Sequence, residues 1–542
     1  MSRVAHYLQE HLVGEVTDSL DVRRYFSHDA SILQVTPTVV VYPANENDVR
    51  KTARFSWQLA ERDKTLPITA RGGGSDTSGA AIGSGVMLVF TAHMNRILAL
   101  NPSKQFATVE PGITFGALQQ TLYTHGLFLP PYPASSAYAT IGGGLANNSI
   151  GEKSVKYGDM AKYVQKLSVV LANGEIIETG PLTKRELNRK LGLSNLEGNI
   201  YRGIDGLLEE NHSLLKDEKA RFNANHNRSG YNLFDIKKKG SFDLTPLFLG
   251  SQGTLGIITE ATIRLVPHNP LVELAVMSFD SLSELQDVLP SIIDLQPSIC
   301  EMINRAAITQ LNKTNPSQLK GILQNPAAEI HLILEFDDSK EGAQKKSLKS
   351  LAKLAEKTGS YLMIASNNED RDKINKLRRA VASLHLISRG GAKAVPVAED
   401  VSIPADRLAD YLRRAGEIYT GGGLHPAIWG HAGDGVVRMQ PLLDLAQTGD
   451  RQKLYKLQDM IYNTALNMGG SISAAAGDGR VRAPYMGHVY SKEARQVMME
   501  VKQIFDPYGI LNRGVKTATA EEVKSLMRTE YSHSSHEHLL HS

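Results

Sequence analysis

Three stretches of this sequence are so poor in bulky side chains that they can add little to a core, and they constrain the fold first. "ARGGGSDTSGAAIGSG" occupies residues 70–85, "PASSAYATIGGGLANNSIGEKSVKYG" residues 133–158, and "LGSQGTLGIITE" residues 249–260. Glycine permits positive φ, and without a Cβ it lets a phosphate approach backbone N–H groups closely. Ser75, Thr77, Ser78, Ser135 and Thr140 set hydroxyl donors beside those amides. One cluster alone would read more readily as a tight turn between strands; three in one chain point to a shared anion cradle. Such a cradle lets a protein of formal charge only +3 hold a diphosphate locally. The chain has no G-x-G-x-x-G after a strand and no G-x-x-x-x-G-K-[ST], which disfavours a Rossmann dehydrogenase and a P-loop nucleotidase.

A chain of 542 residues is too long for one core. Residues 1–35 are expected to form a helical amino-terminal segment. Short apolar runs such as "TVVVYP", "LPITA" and "VMLVF" alternate with helical patterns through a first domain, 36–269. A polar, helix-like insertion at 183–239 interrupts that domain. Longer helices between strands such as "EIHLILEF" predict a second, α+β domain at 270–516. Residues 517–542, with histidines at 533, 536, 538 and 541, are expected to be a disordered tail rather than a metal site. The near-neutral charge argues against nucleic acid as a partner, and no stretch reaches the roughly 18 apolar residues of a membrane span. The amino terminus lacks the apolar core of a secretion signal. The single cysteine, Cys300, fits a reducing cytoplasm and excludes both intrachain disulfides and a self-supplied iron–sulfur cluster.

"ITARGGGSDTSGAAIG", "VEPGITFGALQQTL" and "PLFLGSQGTLGIITEATIRLVP" resemble the FAD-binding domain (PCMH type) of the vanillyl-alcohol-oxidase superfamily. The branch is that of the flavin subunits of glycolate oxidase, of D-lactate dehydrogenases and of D-2-hydroxyglutarate dehydrogenases. The likeness continues through "VAEDVSIP", "GHAGDG" and "FDPYGILNRGVK" and so covers residues 21–516. It implies an α+β fold in which a two-subdomain FAD-binding domain precedes an FAD-linked oxidase C-terminal substrate domain. It also implies that Gly72, Gly73, Gly74, Ser75 and Thr77 cradle the FAD pyrophosphate. Ser135, Thr140, Ile141, Gly142, Gly143, Asn147, Gly151 and Tyr157 would follow along the cofactor, with Ile257 near its adenine side. Asn512 and Lys516 match a closing motif that returns toward the flavin, although Arg513 replaces its proline. Ser75 stands where covalent relatives carry histidine, so the FAD is expected to be non-covalent. "NRSGYNL" and "GDGRVR" are similar to large members with an iron–sulfur half after the flavin half. This sequence ends before such a half, so its electrons are expected to leave to a quinone, a carrier protein, oxygen or a separate iron–sulfur subunit.

The same resemblance implies oxidation of a 2-hydroxy acid (D-lactate-, glycolate- or 2-hydroxyglutarate-like) by hydride transfer to the flavin. Such chemistry needs a base for the hydroxyl proton and a cation for the carboxylate. In the family these come from a metal held by two histidines and a glutamate, with a further histidine as base. Here His431 matches the first ligand, but Arg438 stands at the second, Ala475 at the glutamate and Ala476 at the base, while Val436 replaces a motif asparagine. No metal is therefore expected. Arg438 and Arg378 become candidate carboxylate partners, the latter with Asn375 where the family has tryptophan. His431 is the candidate base, and Arg480 and Arg482 are further candidates. Two other readings stay open: a non-catalytic or electron-transferring flavoprotein subunit, and an oxidase of a different alcohol or a sugar.

Overall fold

The computed structural model describes residues 1–542 apart from 223, 315–321, 324, 383, 385–387, 390 and 530–542. Near the amino terminus, strands Glu15–Thr17, Val39–Tyr42, Val86–Val89 and Ile68–Arg71 lie side by side in that order. The first pair is antiparallel and the other two are parallel. Helix Glu46–Ala60 makes the crossover, and Asn45 starts it by accepting a hydrogen bond from the Asp48 N–H. The carboxyl end of Ile68–Arg71 feeds straight into the first glycine loop. A second, antiparallel sheet orders Ile97–Asn101, Phe106–Val109, Ile257–Arg264, Val164–Val170 and Ile176–Glu178. Its last two strands form a hairpin around Asn173 and Gly174, with Gly174 at φ 83° in the turn. The third glycine loop opens onto the start of Ile257–Arg264, so both sheets end at one place.

Two expectations at the chain ends are corrected. The amino-terminal segment is not a helix apart. Its helix Arg3–His11 buries Ala5 and Leu8 in the core under the first sheet, and Glu15–Thr17 is that sheet's edge strand. The tail predicted from 517 is ordered at its start: Thr519 and Glu522 form a capping box for helix Ala520–Ser525, which buries Val523. The four tail histidines lie outside the described residues. The 183–239 insertion holds helices Lys184–Leu191, Leu196–Glu210 and His212–Ala220.

The second half of the chain builds a seven-stranded antiparallel sheet. Its order is Tyr361–Ile364, Glu273–Phe279, Ile330–Phe336, Ile299–Asn304, Ala427–His431, Val436–Gln440 and Val401–Ser402. Period-two alternation sends Met277, Leu332 and Leu334 to one face, where they pack with Leu285, Leu289 and Leu351. Val276, Ile303 and Ile333 go to the other, against Ile308, Leu311, Ile374 and Leu377. Toward one end of this second face the residues turn polar. Glu301 is paired with His431, His431 with Val436, and Trp429 with Arg438, so all of these project to the same side. That polar end meets the first half of the chain: Lys153 pairs with Glu335, and Ser154 contacts His431 at 3.3 Å.

Candidate functional site

A cleft runs between the two sheets of the first half and the polar end of the seven-stranded sheet. Gly72, Gly73, Gly74, Ser75 and Thr77 line it, with Ser135, Thr140, Gly142, Gly143, Asn147 and Ile257. Arg438, Asp400, Ala475 and Ala476 close its far end. The first loop is shaped by Asp76, whose Oδ2 accepts from the Ser78 and Ala80 amides and the Ser78 hydroxyl. Its Oδ1 accepts from Asn147 Nδ2 at 3.1 Å and so ties the first loop to the second. Gln252 binds in the third: its Nε2 donates to Ser78 Oγ and Asn147 Oδ1, and its Oε1 accepts from the Gly479 amide.

Why these positions are glycine differs along the cleft. A Cβ on Gly72 would lie 2.1 Å from Thr140 Oγ1, so the first two loops touch only because it is absent. A Cβ on Gly143 would meet only Thr140 Oγ1, at 3.4 Å, and would otherwise project into open space. Two buried polar atoms on the same wall, Ser149 Oγ and Arg71 Nε, have no hydrogen-bond partner among the described residues. Bare amides, free hydroxyls and orphaned donors along one trough form a donor set that suits the diphosphate and hydroxyl groups of a dinucleotide.

Four of the predicted cofactor residues lie off the cleft wall. Ile141 is fully buried in the core. Gly151 is glycine because a Cβ there would sit 1.9 Å from the Tyr132 carbonyl oxygen. The Tyr157 hydroxyl donates to Asp337 at 2.9 Å. Asn512 is a bolt: its Nδ2 donates to the Ala80 and Gln252 carbonyls, and its Oδ1 accepts from Thr69. Asp76, Gln252 and Asp400 were not predicted. Asp76 was detectable as the aspartate of an Asx turn in "SDTSG", whereas nothing local marks Gln252.

At the far end, the backbone amides of the three alanines of "SAAAGDG" are all held by Asp400. Asp400 Oδ1 and Oδ2 accept from the Ala475 and Ala476 amides, each at 2.8 Å, and the Ala474 amide donates to the Asp400 carbonyl. Arg482 is buried beneath, with Nε donating to Gly477 O at 3.2 Å and Nη2 3.6 Å from Asp400. Ile150, Val436, Ala474 and Ala475 form a small apolar cluster, from which Ile150 and Ala475 reach the cleft wall. The metal that the resemblance implies does not fit here. Methyl groups stand where donors are needed, Arg438 is cationic, and among the described residues no three His, Cys, Asp or Glu side chains converge.

The candidate catalytic residues separate. Arg378 lies in a different place from Arg438: it is sandwiched between Glu152 and Glu301, joining the two halves of the chain. Burial opposes its charge, but the two carboxylates outweigh this and hold it firmly protonated. It therefore serves as an interdomain tie, not a free carboxylate partner. Arg480 and Arg482 are likewise committed, Arg480 to the Gly79 and Arg513 carbonyls. Arg438 is half-buried on the cleft wall, and among the described residues no carboxylate lies within 4.0 Å of it. His431 Nδ1 contacts Ser154 Oγ, and that hydroxyl also contacts Asp434, whose Oδ2 is 2.8 Å from His226 Nε2. Burial pushes the Asp434 carboxyl up, yet His226, His431 and Ser154 outweigh this and keep it ionised. The Ser154 proton therefore goes to Asp434, and Ser154 Oγ accepts from His431 Nδ1–H. Neutral His431 then keeps its lone pair on Nε2. Burial, reinforced by Arg438 and opposed by Asp434, lowers the His431 pKa.

Two family models match the chain: an FAD binding domain over residues 37–180, and the C-terminal domain of FAD linked oxidases over residues 269–515. The sequence is 29% identical over 522 residues to a D-2-hydroxyglutarate dehydrogenase of Escherichia coli (strain K12), covering 93% of this chain and 50% of that protein. It is 27% identical over 478 residues to a D-lactate dehydrogenase of Archaeoglobus fulgidus, covering 88% and 90%. The chain spans about half the length of the D-2-hydroxyglutarate dehydrogenases it matches. Its fold is similar to that of 4-ethylphenol oxidase from Gulosibacter chungangensis, with a TM-score of 0.68 at 16% identity over 96% of this chain and 98% of that one.

Proposed function

Because this chain belongs to the FAD-linked oxidases, with FAD as its cofactor, we propose that it oxidises a 2-hydroxy acid by a route that needs no metal. The bound flavin would supply the hydride acceptor. The observation that carries the reading is Arg438: a guanidinium on the wall of the glycine-lined cleft, beside Ala475 and Ala476, with no ion-pair partner among the described residues. A guanidinium presents two parallel N–H donors to a carboxylate and so fixes both the position and the orientation of the acid. His431, held through Nδ1 by Ser154 and Asp434, would accept the hydroxyl proton at Nε2. Ile150 and Ala475 add apolar surface to the cleft wall that carries Arg438. In this reading Gly72 to Gly74, Ser75, Thr77, Thr140, Gly143 and Asn147 grip the cofactor without a covalent bond. The relatives' names support the substrate class.

Electrons would leave to a separate acceptor, and the setting would be the cytoplasm. No described helix is long and apolar enough to cross a membrane, and Cys300 is a buried free thiol. Anaerobic mixing of the FAD-loaded protein with D- and L-2-hydroxy acids tests the reading, and bleaching of the flavin by at least one of them is expected. The apolar cluster in place of a metal also favours a second reading, a flavoprotein subunit without its own substrate. Unchanged flavin absorbance with every acid would select that one.

A further inference from the structure

Behind Arg438 lies a pair of side chains that the mechanism above does not use. Arg438 and Gln440 alternate on strand Val436–Gln440 and so share a face. Gln440 Nε2 donates to Glu399 Oε1, and both residues are buried, at 4% and 3% exposure. The amide oxygen Gln440 Oε1 and the second carboxyl oxygen Glu399 Oε2 are also buried, and neither has a hydrogen-bond partner among the described residues. Two orphaned acceptors in one acid–amide pair is the signature of a missing proton, because an ionised carboxylate has none to give. A proton on Glu399 Oε2 would satisfy both at once, closing the two-bond ring that a carboxylic acid forms with a primary amide.

The charges around the pair agree with that. Burial pushes the Glu399 carboxyl up; Arg438, Gln440 and Arg482 oppose this, Asp400 adds to it, and the balance stays upward. Asp400 is occupied by the Ala475 and Ala476 amides, and Arg482 by Gly477 and Asp400. Neither is free to pair with Glu399, and Arg438 makes no ion pair with it.

We propose that Glu399 is a positioning residue held as the neutral acid by Gln440, so that Arg438 keeps an uncompensated positive charge for the substrate carboxylate. This rests on the reading of Arg438 as the carboxylate partner. An ionised Glu399 would neutralise that charge and repel the incoming acid; a neutral one leaves Arg438 as the attractive centre of the pocket.

Infrared difference spectroscopy of the full-length, FAD-loaded protein at neutral pH decides the protonation state. The wild type should show the carbonyl stretch of a protonated carboxyl, which shifts in deuterium oxide and is missing in Glu399→Gln. Glutamine keeps the ring, since two primary amides pair in the same way. Loss of carboxylate bands instead would overturn the proposal. The wild-type carbonyl band titrating away at high pH reports the same state without any variant. Oxalate, titrated calorimetrically, reports the consequence. Glu399→Gln should bind it within about threefold of wild type, whereas tightening by about tenfold or more would mean that an anion had been removed. Oxalate that binds neither protein would overturn the reading of Arg438 and its link to Glu399, while the infrared band would still fix the state of the acid.

Discussion

The two ends of the cleft are built by opposite means. The cradle end works because side chains are missing: Gly72 lets two loops touch, Gly143 leaves room, and Asp76, Gln252 and Asn512 bolt the bare backbone together from behind. At the other end side chains are missing too, yet the backbone is equally well held. Asp400 grips the Ala475 and Ala476 amides while the methyl groups above do no chemistry. Scaffold and reactive groups are thus separable. A loop can keep its shape through amide hydrogen bonds after its ligands have gone, and a single guanidinium from the neighbouring sheet can take over the charge.

The strongest way to break the comparison is at the cradle. Gly72→Val would drive a branched side chain into Thr140 and separate the first two loops. The purified variant is expected to carry no flavin after desalting, and full retention would mean that the loops do not jointly hold the cofactor. Next is Arg438→Met, which keeps the length of the side chain and removes the charge. Flavin content should stay at the wild-type level while kcat/KM falls by about 30-fold or more, as losing one partner of a desolvated charge pair costs about 2–5 kcal/mol. An equal loss of flavin would place Arg438 in the cradle instead. Asp400→Asn leaves the Ala475 or the Ala476 amide without a carboxylate acceptor, and chemical denaturation should show a loss of about 1–3 kcal/mol. The pH profile sharpens the assignment of the base. Since the folded pKa of His431 is lowered, the residue stays neutral and competent down to below the usual histidine value of about 6.5. The acid limb of kcat/KM should therefore lie below that value, and a limb above it would exclude His431. The smallest effect is expected of Ala475→Glu combined with Ala476→His. Arg438 still occupies the position of the second histidine ligand, so zinc binding should be indistinguishable from wild type by calorimetry.

The contrast also explains what the sequence alone could reveal. Bare backbone is legible because glycine runs have few other uses, and so the three loops and their convergence were readable from the residues themselves. The strands of the first sheet were equally legible, as the short apolar runs that became Val39–Tyr42, Ile68–Arg71 and Val86–Val89. The bolts were not: Gln252 and Asn512 lie 260 residues apart, and no local pattern links them. Arg378 illustrates the opposite error. It matched a family arginine by spacing, but whether a guanidinium is free or sandwiched depends on Glu152 and Glu301, which only the folded chain brings beside it. The capped helix after residue 517 was missed because a capping box surrounded by polar residues looks like a tail until Val523 finds its place.

Anaerobic bleaching of the flavin by one 2-hydroxy acid, compared between wild type and Arg438→Met at matched flavin content, tests the central claim most directly. The account predicts rapid bleaching in the wild type and little or none in the variant. Equal bleaching in both would show that the substrate's carboxylate is held elsewhere.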